Sequence, residues 1–503
     1  MDNAASRDVR RQPLNEDVLR AILAKIPRTD LISASLVNRD FASIARDFIL
    51  RRFVLDLGDI DKCKLRLGTL RSKPNIAGFV KELSIIGELQ TKPWWQYVEN
   101  FEDEQEVPRV EALEELQKLI QDGILTAGLR EVTWDAGLGM PVALIEAIQA
   151  AHPECTFVLD KYAGSPLPPM PNLVSITATV HVYGEPILCF RPIILHSPRL
   201  RHLRIASYQD AGCVVRGFSL DHVFPRPFLT CDWTGPLCGR DGPFIEELSL
   251  KQMSWTTDGA ARSVRDMSWS RLRKLQLDRC DAIPLLRASV PACSMFPSLA
   301  EFTYTMWYDD EGTRASVTQA LQEFLSTASG LQSLRLEGPY PPVVTTIIAH
   351  HGDTLRSLIL HDHERPNEPQ RTTMKTSDLL ALGERCSSLQ HLGFDVDPGY
   401  RLAQEVGDSE VEPLANIFNS DGRFSALRML TLYTMLGITQ YQDRDTARDL
   451  DALKQHVSPI MVPAIGNAGA VERGTGKLQS IVINIGEQDR EMGFGYPAGR
   501  VFP

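Results

Sequence analysis

The sequence lacks the marks of several large function classes. Its nine cysteines, at 63, 155, 189, 213, 231, 238, 280, 293 and 386, never form a C-x-x-C pair. That scatter argues against a zinc finger or a disulfide framework. It fits reduced, mostly buried thiols in the cytosol or nucleus. No run of about 18 apolar residues occurs, so no stretch reads as a membrane-spanning helix. The opening residues, MDNAASRDVRRQ, lack the apolar core of a signal peptide, and 1–11 are expected to be disordered. Excess positive charge is missing too. A net charge of −11 does not suit phosphate neutralisation, so neither nucleic acid nor a membrane is an expected partner.

Catalytic signatures are equally scarce. No G-x-S-x-G or H-E-x-x-H occurs. The stretch GTGK at 474–477 resembles part of a phosphate loop. Val471 stands where that loop needs Gly, and Leu478 where it needs Ser or Thr. His350, His351, His361, Asp362 and His363 gather ligand-type side chains, but nothing completes them at zinc-ligand spacing. Polar residues following a strand explain them better. The expectation is a non-catalytic protein without cofactor or metal.

What is present is enough to fold. Hydrophobic residues make up 43% and charged residues 23%. At 503 residues the chain is long for one compact core and suits a small module followed by a repeat array. Charge is uneven: residues 1–53 sum to +3 and the remainder to −14. A mildly basic start is compatible with an acidic partner.

Residues 14–26, LNEDVLRAILAKI, place Leu14, Val18, Leu19, Ile22, Leu23 and Ile26 on one helical stripe. Asn15 is positioned to cap that helix, with Glu16 and Asp17 in its first turn. Pro27 stops it. Thr29 and Asp30 restart a helix through Leu31, Ile32, Ser35 and Leu36. A third pattern runs through Phe41, Ile44, Ala45, Phe48 and Ile49. Three short helices bury little apolar surface against about 1–2 kcal/mol of backbone entropy per ordered residue. Such a unit needs a partner or a neighbouring domain. Periodicity alone leaves open a docking module or a helical cap on the adjoining domain.

The stretch LNEDVLRAILAKIPRTDLISASLVNRDFASIA resembles the F-box. Leu14, Leu19, Ile22, Leu23, Pro27, Asp30, Leu31, Ser35, Leu36, Val37, Arg39 and Ala45 match that pattern in identity, without a gap. Val18, Ile26, Phe41 and Ile44 match in kind. Asn15, Asp17 and Asn38 depart from the usual Pro, Glu and Cys. The match covers under a tenth of the chain.

A second pattern, apolar-x-x-apolar-x-apolar, recurs behind it. It reads Val80-Leu83-Ile85, Leu129-Val132-Trp134, Leu173-Ile176-Ala178, Leu200-Leu203-Ile205, Ile245-Leu248-Leu250 and Leu272-Leu275-Leu277. It continues as Leu299-Phe302-Tyr304, Leu331-Leu334-Leu336, Leu355-Leu358-Leu360, Leu389-Leu392-Phe394, Leu427-Leu430-Leu432 and Leu478-Ile481-Ile483. Successive units start 24 to 51 residues apart, and the shortest intervals fall in the leucine-rich-repeat range. Helical stretches are expected at 110–121, 141–152, 313–328, 377–386, 412–419 and 447–457. Alternating strands and helices that cannot bury a face alone imply stacking. Long insertions at 87–109, with Trp94-Trp95 and an acidic run, and at 206–243 interrupt the array. The array resembles the irregular leucine-rich repeats of many fungal F-box proteins.

The expected fold is therefore α/β: an N-terminal three-helix F-box over 12–50, then a leucine-rich-repeat solenoid with a curved parallel sheet over 51–503. The resemblance implies a substrate receptor of an SCF-type ubiquitin ligase, binding a Skp-type adaptor and through it a cullin–RING ligase. It implies an adaptor surface and helical core made of Leu14, Val18, Leu19, Ile22, Leu23, Ile26, Pro27, Leu31, Leu36, Val37 and Phe41. Outward positions on the strands give candidate contacts to a protein substrate: Arg204, Lys251, Gln276, Asp278, Arg335, Glu337, His361, His391, Asp395 and Tyr433. The other reading is a repeat scaffold that recruits no ligase.

Overall fold

The computed structural model describes residues 15–87, 106–181 (with breaks at 126–127, 137–138 and 163–166), 196–208, 218–219, 244–306 (with breaks at 267–268 and 292–295), 311–362, 373–396, 423–434, 480–485 and 500–501. The chain divides into two compact units, Met1–Ala178 and Thr179–Pro503.

The first unit opens with helices α1 (Glu16–Leu23), α2 (Arg28–Ala34) and α3 (Arg39–Arg51). Asparagines begin two of them. Asn15 Oδ1 accepts from the Asp17 amide at 3.0 Å, and Asn38 Oδ1 from the Phe41 amide at 2.9 Å. Each cap satisfies a donor the helix leaves orphaned, worth about 1 kcal/mol. Thr29 and Asp30 do not start α2 as expected. Its N-cap is Pro27, which supplies no side-chain cap bond. Leu19 and Leu23 from α1, Leu31 from α2, and Ile44 and Ala45 from α3 form the helical core.

Five strands come next: β1 (Arg52–Asp56), β2 (Glu82–Gly87), β3 (Glu131–Ala136), β4 (Thr156–Tyr162) and β5 (Leu173–His181). Each pairs parallel with the next. Between them lie α4 (Ile60–Ser72), α5 (Pro74–Ala77), α6 (Glu106–Gln121) and α7 (Val142–Ala151). The six-residue apolar pattern misses β4. In register, Phe157 and Leu159 match Val132 and Trp134, but Glu154 takes the place of the leading Leu129.

In the second unit, β6 (His202–Tyr208) is followed by a small parallel pair, β7 (Phe218–Ser219) with β9 (Met253–Ser254), and by the main strands β8 (Glu247–Lys251), β10 (Lys274–Asp278), β11 (Glu301–Thr305), β12 (Ser333–Glu337), β13 (Ser357–His361), β14 (His391–Val396), β15 (Met429–Thr434) and β16 (Ser480–Ile485). The main strands run parallel in chain order, and β17 (Arg500–Val501) closes antiparallel on β16. Among the described residues, helices lie between the successive main strands from β8 to β14: Thr257–Asp266, Ile283–Ser289, Glu311–Thr327, Val344–His351 and Thr376–Arg385. The expected helices at 412–419 and 447–457, the GTGK stretch and Trp94-Trp95 lie outside the described residues.

Burial explains the periodic leucines. In the first eleven of the twelve apolar triplets every residue is at most 4% exposed. A strand alternates its faces, so the second and third residues of each triplet point inward, and the first closes the turn before the strand. Each buried side chain contributes about 1.5–3 kcal/mol.

His152 and His351 are buried with the repeats, and His391 is partly buried. Burial, above all, holds His152, His351 and His391 below the usual imidazole range. His351 links two helices: its Nε2 lies 2.9 Å from the Leu325 carbonyl, while Nδ1 is buried without a hydrogen bond. A histidine whose folded pKa lies below the unfolded value near 6.5 adds stability above that pH and loses it as pH falls through the folded value. The thermal midpoint of the full chain should therefore fall on acidification below about pH 6.5. His351→Gln, whose amide retains a donor for Leu325, should flatten that fall. An unchanged slope would remove His351 from the acid response.

Candidate partner-binding surfaces

The first surface arises from the way α1 and α2 divide their apolar side chains. On α1, Leu19 and Leu23 point into the core, 5% and 0% exposed. Val18 and Ile22, one position earlier on the same four-residue spacing, are each 46% exposed. On α2, Leu31 is buried and Ile32 is not. Just beyond, Leu36 and Val37 are 82% and 66% exposed. Five of the nine large apolar residues that stand exposed among the described residues thus fall within 18–37. Such clustering of exposed apolar side chains marks an interaction surface, whereas single exposed ones need no explanation.

The sequence-derived adaptor set therefore separates. Leu19, Leu23 and Leu31 are core. Val18, Ile22, Pro27, Leu36 and Val37 are exposed. Ile26 and Phe41 are partly buried against the core, and Leu14 lies outside the described residues. Ile32 was missing from the set. Its signal was available: it follows Leu31 directly, and consecutive helical residues do not share a face.

The second surface is the solvent-facing side of the strands in the second unit. Most of its charges meet across neighbouring strands. Arg204 faces Glu247 at 3.6 Å, Lys251 faces Asp278 at 3.9 Å, and Lys274 faces Glu301 at 3.2 Å. Arg335 pairs with Glu337, which also accepts from the Thr305 hydroxyl at 2.9 Å. His391 Nε2 lies 2.9 Å from Thr431 Oγ1, while Gln276 is partly exposed. Burial and the nearby Arg335 charge lower the pKa of His391, so this ring is neutral at pH 7.

Two expected contact residues prove to be interior. His361 is 7% exposed and Asp395 1%. His361 Nδ1 lies 2.7 Å from Asp395 Oδ1, and Asp395 Oδ2 accepts from the Asp362 amide at 2.6 Å. Tyr433 stacks on His361 with centroids 4.2 Å apart. Arg314 reaches Asp362 at 2.6 Å. Tyr340 is wholly buried nearby, and burial pushes its hydroxyl well above the usual phenol range, with the Asp395 charge adding to the effect. His361 and Asp395 therefore serve a buried polar network that a partner cannot reach. Strand alternation put them on the outward side correctly; the neighbouring side chains that cover them come from distant segments.

The cysteines carry no reactive site among the described residues. Cys63, Cys155, Cys280 and Cys386 are free and buried. Burial raises Cys63 and Cys386 to about 11 and Cys155 to about 12, and raises Cys280 further. Buried, protonated thiols are inert. Among the described residues no three His, Cys, Asp or Glu side chains are grouped to hold a metal ion. No described helix is long and apolar enough to cross a membrane.

One comparison with known families covers the segment that carries the first surface. The family model described as the F-box domain matches residues 13–53. No curated protein matches the chain.

Proposed function

We propose that this chain is the substrate receptor of an SCF-type ubiquitin ligase. The observation that carries the reading is the F-box match together with the apolar residues its helices leave in solvent. An F-box points in general to the substrate-adaptor role, through a Skp-type adaptor that links to a cullin–RING ligase. Val18, Ile22, Ile32, Leu36 and Val37 are the side chains we assign to that contact, with Pro27 beside them. F-box proteins are typically non-catalytic, and the contribution proposed here is proximity: two reactants held together react at raised effective concentration. The cytosol and nucleus are the proposed compartments, in keeping with buried free thiols.

The remainder is proposed to be a leucine-rich-repeat domain that holds a protein substrate. Parallel strands in chain order, helices between them and buried triplets support this. So does Cys280. In Leu272-x-x-Leu275-x-Leu277-x-x-Cys280 it occupies the Asn-or-Cys position of that repeat. Its thiol donates to the Leu250 carbonyl of the preceding unit at 3.3 Å. The outward residues Arg204, Lys251, Gln276, Asp278, Arg335, Glu337, His391 and Tyr433 are the proposed substrate side.

Co-purification of the full chain with a Skp-type adaptor tests the first half. A stoichiometric complex supports the receptor reading. A chain that elutes alone would favour the repeat scaffold instead.

A further inference from the structure

Each triplet of the second unit leaves one residue between its buried leading leucine and the first residue of the strand. Ahead of β12, β13, β14 and β15 that residue is Gln332, Arg356, Gln390 and Arg428. The backbone holds the four side by side. The Arg356 amide donates to the Gln332 carbonyl at 2.8 Å, the Gln390 amide to Arg356 at 2.7 Å, and the Arg428 amide to Gln390 at 2.8 Å. All four residues are exposed, and their side chains make no hydrogen bond or ion pair among the described residues. No acid stands in the row or in the strand-opening residues directly after it, and Ala300 ends the row on the β11 side.

Elsewhere the charges of this sheet are engaged with one another. Arg204 meets Glu247, Lys251 meets Asp278 and Lys274 meets Glu301. At the far end of the same line of strand entries, Arg201 meets Glu246 at 3.6 Å. Only cations without a partner of their own offer their whole charge to an incoming anion.

Two features say what kind of anion fits. The first is spacing. Arg356 and Arg428 enter strands two apart, about 9.6 Å at the usual strand separation. A polyproline-II segment repeats its faces every third residue, about 9.3 Å along its axis. Acids at every third position of such a segment meet both arginines from one side. The second feature is alternation. Gln390 between the arginines and Gln332 beside them carry amides that donate. A polyproline-II backbone has no internal hydrogen bonds, so its carbonyls are open to them. A nucleic acid matches less well. Single-strand binders interleave aromatic side chains with their cations, and this row has none. The net charge of −11 also opposes a polyanion.

We infer that the row of Gln332, Arg356, Gln390 and Arg428 binds an extended acidic segment of a protein substrate, with acids three residues apart seated on the two arginines. The inference rests on the receptor reading proposed above and gives its substrate a chemical class.

The test uses the full chain and three fluorescent peptides. The first is a run of Glu-Pro-Pro repeats. The second has the same composition with its glutamates consecutive, and the third carries Lys for Glu. The first peptide should bind most tightly, lose affinity in high salt, and outbind the Lys peptide completely. Arg356→Glu and Arg428→Glu should each weaken it about tenfold or more, and Gln390→Ala about threefold. Arg130→Glu makes the same charge change at the same repeat position in the first unit, and should leave binding unchanged. Every substituted side chain is exposed, and circular dichroism checks that each variant folds. No binding of the first peptide, or equal binding by the two arginine variants, would overturn the inference. Equal affinity for the peptide with consecutive glutamates would overturn it by removing the spacing. A single-stranded oligonucleotide that binds more tightly, through the same arginines, would reassign the row to nucleic acid. Adaptor co-purification of the same variants keeps the two readings apart. Adaptor retained with peptide binding absent overturns this inference alone. Peptide bound by a chain that no adaptor retains overturns the receptor reading alone.

Discussion

Leu36→Asp is expected to leave the N-terminal module folded and to weaken Skp-type adaptor binding by about thirtyfold or more, whereas Leu23→Asp should unfold the module. The two leucines sit in one short segment and match the same family pattern, yet they differ in exposure: 82% against 0%. A carboxylate at position 36 remains in water in the free chain, so it adds no desolvation cost to folding. In the complex it would be buried against an apolar partner, and that cost falls wholly on binding. Truncating a well-packed interface anchor costs about 2 kcal/mol or more, which corresponds to about thirtyfold. At position 23 the carboxylate would enter the core formed by Leu19, Leu31, Ile44 and Ala45. A core this small has little stability in reserve. Circular dichroism and adaptor titration of each variant separate the two outcomes. Equal binding by Leu36→Asp and the parent would take this face out of the interface.

The second large effect concerns the buried network of the second unit. Arg314→Met is expected to destabilise that unit by about 3–5 kcal/mol, because it strands the Asp362 carboxylate. The Arg314 side chain is 16% exposed and that of Asp362 6%, so water compensates little. The damage should spread. Asp362 donates its amide to Asp395, whose other oxygen holds His361. Arg314 belongs to helix Glu311–Thr327, while Asp362 lies just past β13, so the pair ties segments 48 residues apart. Removing both charges, as Arg314→Met with Asp362→Leu, should recover most of the loss. A desolvated ion pair is often no better than a well-packed apolar one. The double-mutant cycle gives the coupling directly. Hydrogen exchange at the β13 and β14 amides supplies the local readout. A single-variant cost below about 1 kcal/mol would show the network to be dispensable.

Sequence periodicity alone carried much of the fold. The triplets located β2, β3, β5, β6, β8 and β10 to β16, since a strand with one buried face must place apolar residues two apart. The four expected helices within the described residues, at 110–121, 141–152, 313–328 and 377–386, recur within a few residues of their bounds. Elements that broke the template went unread. Besides β4, these include β1, which starts directly where α3 ends. Asn38, a departure from the family pattern, gained its reason only from geometry, as the cap that starts α3.

The N-terminal module, with which apolar residues it contains and at what spacing, was determined by the sequence by itself. Local chemistry suffices there, because helix periodicity, caps and a gap-free pattern all act over a few residues. Which of those residues are core and which are surface was decided only by the tertiary structure. A helix period assigns faces but does not say which face a neighbouring helix will cover. The same limit applied to the strands. Alternation turned His361 and Asp395 outward, and side chains brought from distant segments then enclosed them. Burial is a property of what packs against a residue, and that depends on contacts between residues far apart in the chain.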